Sequence, residues 1–136
     1  MKIIKFWGPA VLWMIIIFTL SSRPSVKVSD EGALNFLFFK SLHVIEYAVL
    51  YLFNYRALKN TFVRDHQKWF MAAFIITMLY AASDELHQLF VPTREGTVRD
   101  VIIDSIGASL IWLFLTKLLP KAPKPLMNFA KNWQLI

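Results

Sequence analysis

The sequence predicts an all-α integral membrane protein, a bundle of four transmembrane helices with both termini on the cytoplasmic side, and three observations lead there. Apolar residues make up 57% of the 136 positions, too many for a water-soluble globule of this size to cover with polar surface. They gather in four runs, about residues 6–22, 34–58, 69–91 and 98–119, each close to the ~20 residues that cross a hydrocarbon core ~30 Å thick. Nearly all lysines and arginines stand at the ends of those runs rather than inside them.

Each run reads as a helix, because in lipid a backbone must satisfy its own hydrogen bonds. The first follows Lys2 and Lys5 and ends in Thr19-Leu20-Ser21-Ser22, a layout that a signal peptide shares. Its poor small-residue cleavage pattern and the bulky Trp7 and Trp13 suit an anchor better. Pro9 falls in the first turns, where a missing N–H costs little. The second and third runs flank a loop holding Arg56, Lys59, Arg64 and Lys68, with Tyr55 and Trp69 placed as interfacial aromatics. The fourth is followed by Lys117, Lys121, Lys124 and Lys131. Together with Lys2 and Lys5 these put ten cations on one side, against Arg23, Lys27, Arg94 and Arg99 on the other, so the ten-cation side is expected to be cytoplasmic. Residues 1–120 then form the membrane domain and residues 121–136 a basic cytoplasmic tail. Pro123 and Pro125 interrupt the tail, and Leu126, Phe129 and Trp133 would rest on the membrane surface.

Composition narrows the chemistry. Cysteine is absent, which removes disulfides, thiolate metal sites and thiol nucleophiles together. The net charge of +6 sits where anionic membrane lipid would meet it, so lipid rather than nucleic acid is the expected partner.

The membrane-level polar residues converge. Lys40, His43, Glu46 and Tyr47 belong to the second run, Asp84, Glu85, His87 and Gln88 to the third, and Arg99, Asp100 and Asp104 open the fourth, while the first ends at Ser22. With both termini inside, all of these map to the outer half of the bilayer. Leaving Arg99 at the rim aside, the eight ionisable groups Lys40, His43, Glu46, Asp84, Glu85, His87, Asp100 and Asp104, unpaired at that depth, would cost on the order of 10 to 20 kcal/mol, more than the ~5 to 15 kcal/mol net stability of a domain. They must therefore turn inward. Helical spacing agrees: Lys40/His43/Tyr47, Asp84/Gln88 and Asp100/Asp104/Gly107 each share a face, and Gly107 would admit a close neighbour. His87 points about 100° away from Gln88 and stays outside the set. Interhelical salt bridges using Arg94 and Arg99 are the purely structural reading. His43, Glu46 and the four acids Asp84, Glu85, Asp100 and Asp104 also suit a divalent metal, which the charge balance does not require.

The ordered set Ser21-Ser22, Lys40-x-x-His43-x-x-Glu46-Tyr47, Asp84-Glu85-x-x-Gln88-x-Phe90, Arg94, Asp100 and Asp104-x-x-Gly107 resembles the VanZ-like family of small bacterial membrane proteins, over about residues 5–118. Members often have Asn where this chain has Asp104. The resemblance implies a multi-pass protein of the bacterial cytoplasmic (inner) membrane, associated with low-level resistance to teicoplanin-type glycopeptides.

Three functions compete. An enzyme acting at the outer leaflet on a lipid-linked or cell-envelope substrate would use His43 as base, Asp84 or Glu85 as acid and Arg94 as anchor. Lys40, Glu46, Tyr47, Gln88, Arg99, Asp100, Asp104 and Ser22 would line the substrate. A non-catalytic protein that binds or shields an envelope precursor or a glycopeptide would use the same mouth. A small transporter would need polar residues throughout the membrane depth, whereas the inner halves of the runs look almost wholly apolar.

Overall fold

The computed structural model describes residues 1–24, 31–62 and 66–136; Lys27 and Arg64, two of the loop cations counted above, lie outside them. The regular structure of the described residues is all helical, with no strand among them. Four long helices, α1 (Lys2–Ser21), α2 (Gly32–Thr61), α3 (His66–Gln88) and α4 (Val98–Leu113), are followed by α5 (Lys124–Asn132). α4 does not stop at Leu113 but widens into a π turn over Phe114–Leu118 and tightens into a 3-10 turn over Leu119–Lys121. Four helical stretches are long and apolar enough to cross a membrane, the last running Val98–Lys121, as the four apolar runs predicted.

The boundaries differ where backbone geometry overrides hydropathy. α3 ends at Gln88, three residues before the apolar run does, because Phe90, Val91 and Arg94 fold back through main-chain bonds to His87, Gln88 and Val91. Thr93 in that bend has φ 66°. Thr97 then caps α4, its hydroxyl accepting from the Asp100 N–H at 3.3 Å, which satisfies one of the donors that a helix start leaves open.

α2 is the hub, packing most extensively against α4 and then against α1 and α3. Its buried Tyr47, Leu50, Tyr51, Asn54, Tyr55 and Leu58 follow helical spacing and form the interior stripe. At Gly107 a Cβ would fall on the Val44 carbonyl oxygen, so the α2–α4 crossing exists only because that position has no side chain. The polar tips of buried rings find main-chain acceptors, as an interior without water demands. Trp13 Nε1 donates to Glu46 O at 2.9 Å, Tyr51 OH to Phe70 O at 3.3 Å and Tyr80 OH to Met14 O at 2.5 Å. One polar pair lies deeper than hydropathy suggested: Asn54 Nδ2 donates to Thr77 Oγ1 at 3.1 Å, both residues fully buried.

The outer surface is oily. Met71, Ile75, Leu79 and Leu86 on α3, and Ile102, Ile106, Leu110 and Leu113 on α4, are all exposed, at intervals of three to seven that keep them on one side of each helix. A face of that kind is stable against lipid and not against water. The chain is therefore a multi-pass membrane bundle.

At the end of the bundle holding both chain termini, α5 and the residues after it dock onto α2. Ala130 and Leu135 are buried, and Arg56 Nε and Asn60 Nδ2 donate to the carbonyls of Trp133 and Gln134 at 2.7 and 2.9 Å. Leu126, Phe129 and Trp133 remain exposed beside Lys124 and Lys131.

Candidate functional site

The opposite end carries the polar groups, brought there by four segments. α2 and α4 meet as a ladder. Lys40 Nζ donates to Asp100 Oδ2 at 2.6 Å, His43 Nδ1 lies 3.1 Å from Asp104 Oδ1, and Gly107 seats against Val44 one turn deeper. Asp100 also lies in the first turn of α4, where a helix favours negative charge. Arg99 Nε stands 3.6 Å from Asp100 Oδ1 on the exposed side.

α3 contributes a second cluster. Asp84 is held by neutral donors alone: Ser21 Oγ at 2.6 Å, Gln88 Nε2 at 2.9 Å and Tyr47 OH at 3.4 Å. These three donors satisfy the Asp84 carboxyl group without a cation. Glu85 Oε2 accepts from the Thr97 N–H at 2.8 Å, and Gln88 Nε2 reaches Glu85 Oε1 at 3.5 Å. The loop is pressed against this helix end, since a Cβ on Gly96 would fall on the Glu85 carbonyl oxygen. Asp84, Glu85, Gln88, Asp100 and Asp104 are all buried. One donor atom each from His43, Glu85 and Asp104 lie within 4.8 Å of one another.

Two cavities flank this cluster. The first, of about 290 Å³, is lined by the apolar Ile17, Leu20, Pro24, Phe39 and Leu42 together with Ser21, Arg23, His43, Glu46, Asp84, Gln88 and Arg94. The second, of about 270 Å³, is lined by Phe36 and Phe39 and by mostly polar residues that include Lys40, Glu95, Thr97, Arg99 and Asp100. Phe39, His43, Gln88 and Arg94 line both, so the imidazole stands between two chambers.

The structure thus gathers Lys40, His43, Tyr47, Asp84, Glu85, Gln88, Asp100 and Asp104 into one cluster. Glu46 faces the first cavity, and its carboxyl makes no hydrogen bond among the described residues. Arg94 lines the cavity, but Nε donates to Arg23 O at 2.9 Å and Nη2 to Leu20 O at 3.2 Å. It closes off the carbonyl end of α1 and forms no ion pair among the described residues. Arg99 is at the rim. Ser22 is exposed, its hydroxyl on Phe18 O at 2.6 Å and 3.0 Å from His87 Nε2; the serine that enters the cluster is Ser21. Helical phase carries that signal, because the buried positions of α1 are Phe6, Ala10, Ile17 and Ser21. Thr97 and the apolar wall of Ile17, Leu20, Phe39 and Leu42 were also missed, since nothing in their residue types distinguishes them from ordinary span or loop residues.

Chemically, the arrangement offers an imidazole beside a buried carboxyl group, a second acid, Glu85, within 4.8 Å, and apolar side chains that share a cavity lining with the imidazole. That combination can move a proton, hold a cation or seat a polar head next to a hydrocarbon chain. No curated protein and no solved structure matches the chain. The family model described as VanZ/LLP1 matches residues 6–119. That span runs from the first turns of α1 to the π turn after α4 and includes every side chain of the polar end: the chain belongs to the VanZ/LLP1 family.

Proposed function

We propose that the polar end faces the outside of a bacterial cytoplasmic membrane and receives the polar head of a lipid-linked cell-envelope precursor, with His43 as the group that meets it. The observation that carries this reading is the mixed lining of the first cavity. His43, Glu46, Asp84 and Gln88 share it with Ile17, Leu20, Phe39 and Leu42. Leu20 and Leu42 are themselves exposed, at 41% and 37%, so the apolar part of the lining continues onto the outer surface. A volume of about 290 Å³ lies at the lower end of small-molecule sites. It holds a head group while the hydrocarbon tail stays in the bilayer. Lys40 and Arg99 line the adjoining chamber, each beside Asp100, and their remaining N–H donors can meet a phosphate or carboxylate on the head. Holding or altering such a precursor would change how a glycopeptide of the teicoplanin type meets the envelope, and that is the physiological outcome we attach to the site.

The test is lipid mass spectrometry of protein extracted from its native membrane, beside a Leu42→Trp variant in which the indole fills the cavity. Wild type should retain a phosphate- or sugar-bearing lipid that the variant has lost. Equal lipid content in the two, or bulk membrane lipid only, would end this reading.

A further inference from the structure

We infer that His43, Glu85 and Asp104 form a binding site for one divalent first-row transition-metal ion of the Zn²⁺ or Mn²⁺ type. The inference deepens the proposed function by naming what the polar cluster holds, and rests on it for location only.

The three residues come from three helices, α2, α3 and α4, and present donor atoms within 4.8 Å of one another. Metal–ligand distances of about 2.0–2.2 Å put neighbouring ligands about 3 to 3.5 Å apart, so small side-chain rotations close the set. An unsatisfied atom points the same way. Asp104 is 0% exposed, and while Oδ1 meets His43, the buried Oδ2 has no hydrogen-bond partner. A buried carboxylate oxygen left bare is costly, and coordination would satisfy it.

The distribution of cations adds an independent argument. Lys40 and Arg99 both turn to Asp100, and Arg94 donates to main-chain carbonyls. Among the described residues no Lys or Arg forms an ion pair with Asp84, Glu85 or Asp104; His43 is the sole basic partner. Asp84 is provided for by Ser21, Tyr47 and Gln88. Glu85 and Asp104 are less well provided for: Glu85 Oε1 has one long contact at 3.5 Å and Asp104 Oδ2 has none. A divalent ion offsets those two charges while His43 binds as neutral imidazole. The mixed nitrogen and oxygen set favours a transition ion over Mg²⁺ or Ca²⁺, which take oxygen. Three protein ligands leave a coordination position open, and His43 borders both cavities, so a ligand oxygen could reach it.

The experiment uses full-length protein in detergent, stripped with chelator, dialysed against Zn²⁺ or Mn²⁺ and assayed by elemental mass spectrometry and calorimetry without added lipid. Wild type and His87→Ala, whose imidazole lies outside the cluster, should each bind about one ion per chain. Glu85→Gln and Asp104→Asn should each weaken binding at least about tenfold. Size-exclusion profile and helical circular dichroism show which variants fold, and if Asp104→Asn does not, Glu85→Gln decides. Wild type binding far less than one ion, or binding untouched by the folded variants, overturns the inference. Protein that carries lipid but no metal removes the ion site alone; protein that carries metal but no lipid removes the amphiphile reading alone.

Discussion

Gly107→Ala perturbs the one crossing on which both ladder contacts depend. The added Cβ would fall on Val44 O, with Ala48 N and Val44 C each at 3.0 Å. All three are backbone atoms, so no rotamer change relieves the clash and α2 must move off α4. Overpacking of this kind costs about 1 to 3 kcal/mol, while replacing glycine inside a helix recovers about 0.5 to 1 kcal/mol. The net loss is about 0 to 2.5 kcal/mol for Ala, and Leu should cost more because its branches enter the same backbone. The site feels the shift directly. His43 and Asp104 are 3.1 Å apart, so a separation of about half an ångström takes them past hydrogen-bond range. Gly8 is the control: a Cβ there meets nothing within 4 Å, and Gly8→Ala should stabilise α1 by about 0.5 to 1 kcal/mol. Thermal unfolding in detergent, followed by tryptophan fluorescence, should rank Gly8→Ala above wild type, wild type above Gly107→Ala, and Gly107→Leu lowest, about 5 °C or more below wild type. A Gly107→Leu protein melting with wild type would refute the close approach and the register built on it.

Arg94→Lys should lose the two-carbonyl clasp on Arg23 and Leu20, because an ammonium lacks the fork geometry. Hydrogen exchange at residues 20–23 should speed up several-fold, and unchanged exchange would count against the clasp. Removing residues 124–136 deletes buried Ala130 and Leu135 and the bonds from Arg56 and Asn60. About 2 to 4 kcal/mol of stability should go with them, while lipid retention at the far end is kept; equal melting temperatures would show that the tail does not dock. The chain has no cysteine, so single cysteines report sidedness cleanly. In intact cells Ser22→Cys should react with a membrane-impermeant maleimide and Lys117→Cys only after permeabilisation, and the reverse pattern would invert the proposed orientation. Asn54→Val should melt within about 1 kcal/mol of wild type, because Asn54 Oδ1 is already unpartnered and Thr77 keeps its bond to Ala73 O; a loss of several kcal/mol would mean Oδ1 has a partner such as water.

The number of helices and the end at which the charges meet were legible because both follow from solvent. Lipid admits only long apolar helices, and ionisable groups placed at matching depths on several of them must face one another. What could not be read depends on rotation and register, to which hydropathy is blind. Ser21 and Ser22 are equivalent in composition, and both hydroxyls reach Phe18 O, yet a rotation of about 100° per residue brings one to Asp84 and the other to His87 on the exposed side. Arg94 counted as a positive charge in the sequence, but the nearest unmet need was the carbonyl end of α1, where a cation is favoured by the helix dipole as well as by hydrogen bonding.

The pairing of α2 with α4 shows where the missing information lies. Lys40, His43 and Tyr47 on one helix and Asp100, Asp104 and Gly107 on the other are spaced so that several registers keep a polar face against a polar face. Sliding α4 by one turn would set Asp100 opposite His43 and Asp104 opposite Tyr47, with a polar face still against a polar face. In that register, however, the contact at Val44 and Ala48 would fall to Ile103 or Asp104, whose side chains cannot share space with a backbone carbonyl. Only at Gly107 can the two helices come as close as they do, and that approach carries Lys40 to Asp100 and His43 to Asp104. The glycine, which has no chemistry of its own, therefore decides which acid the imidazole meets.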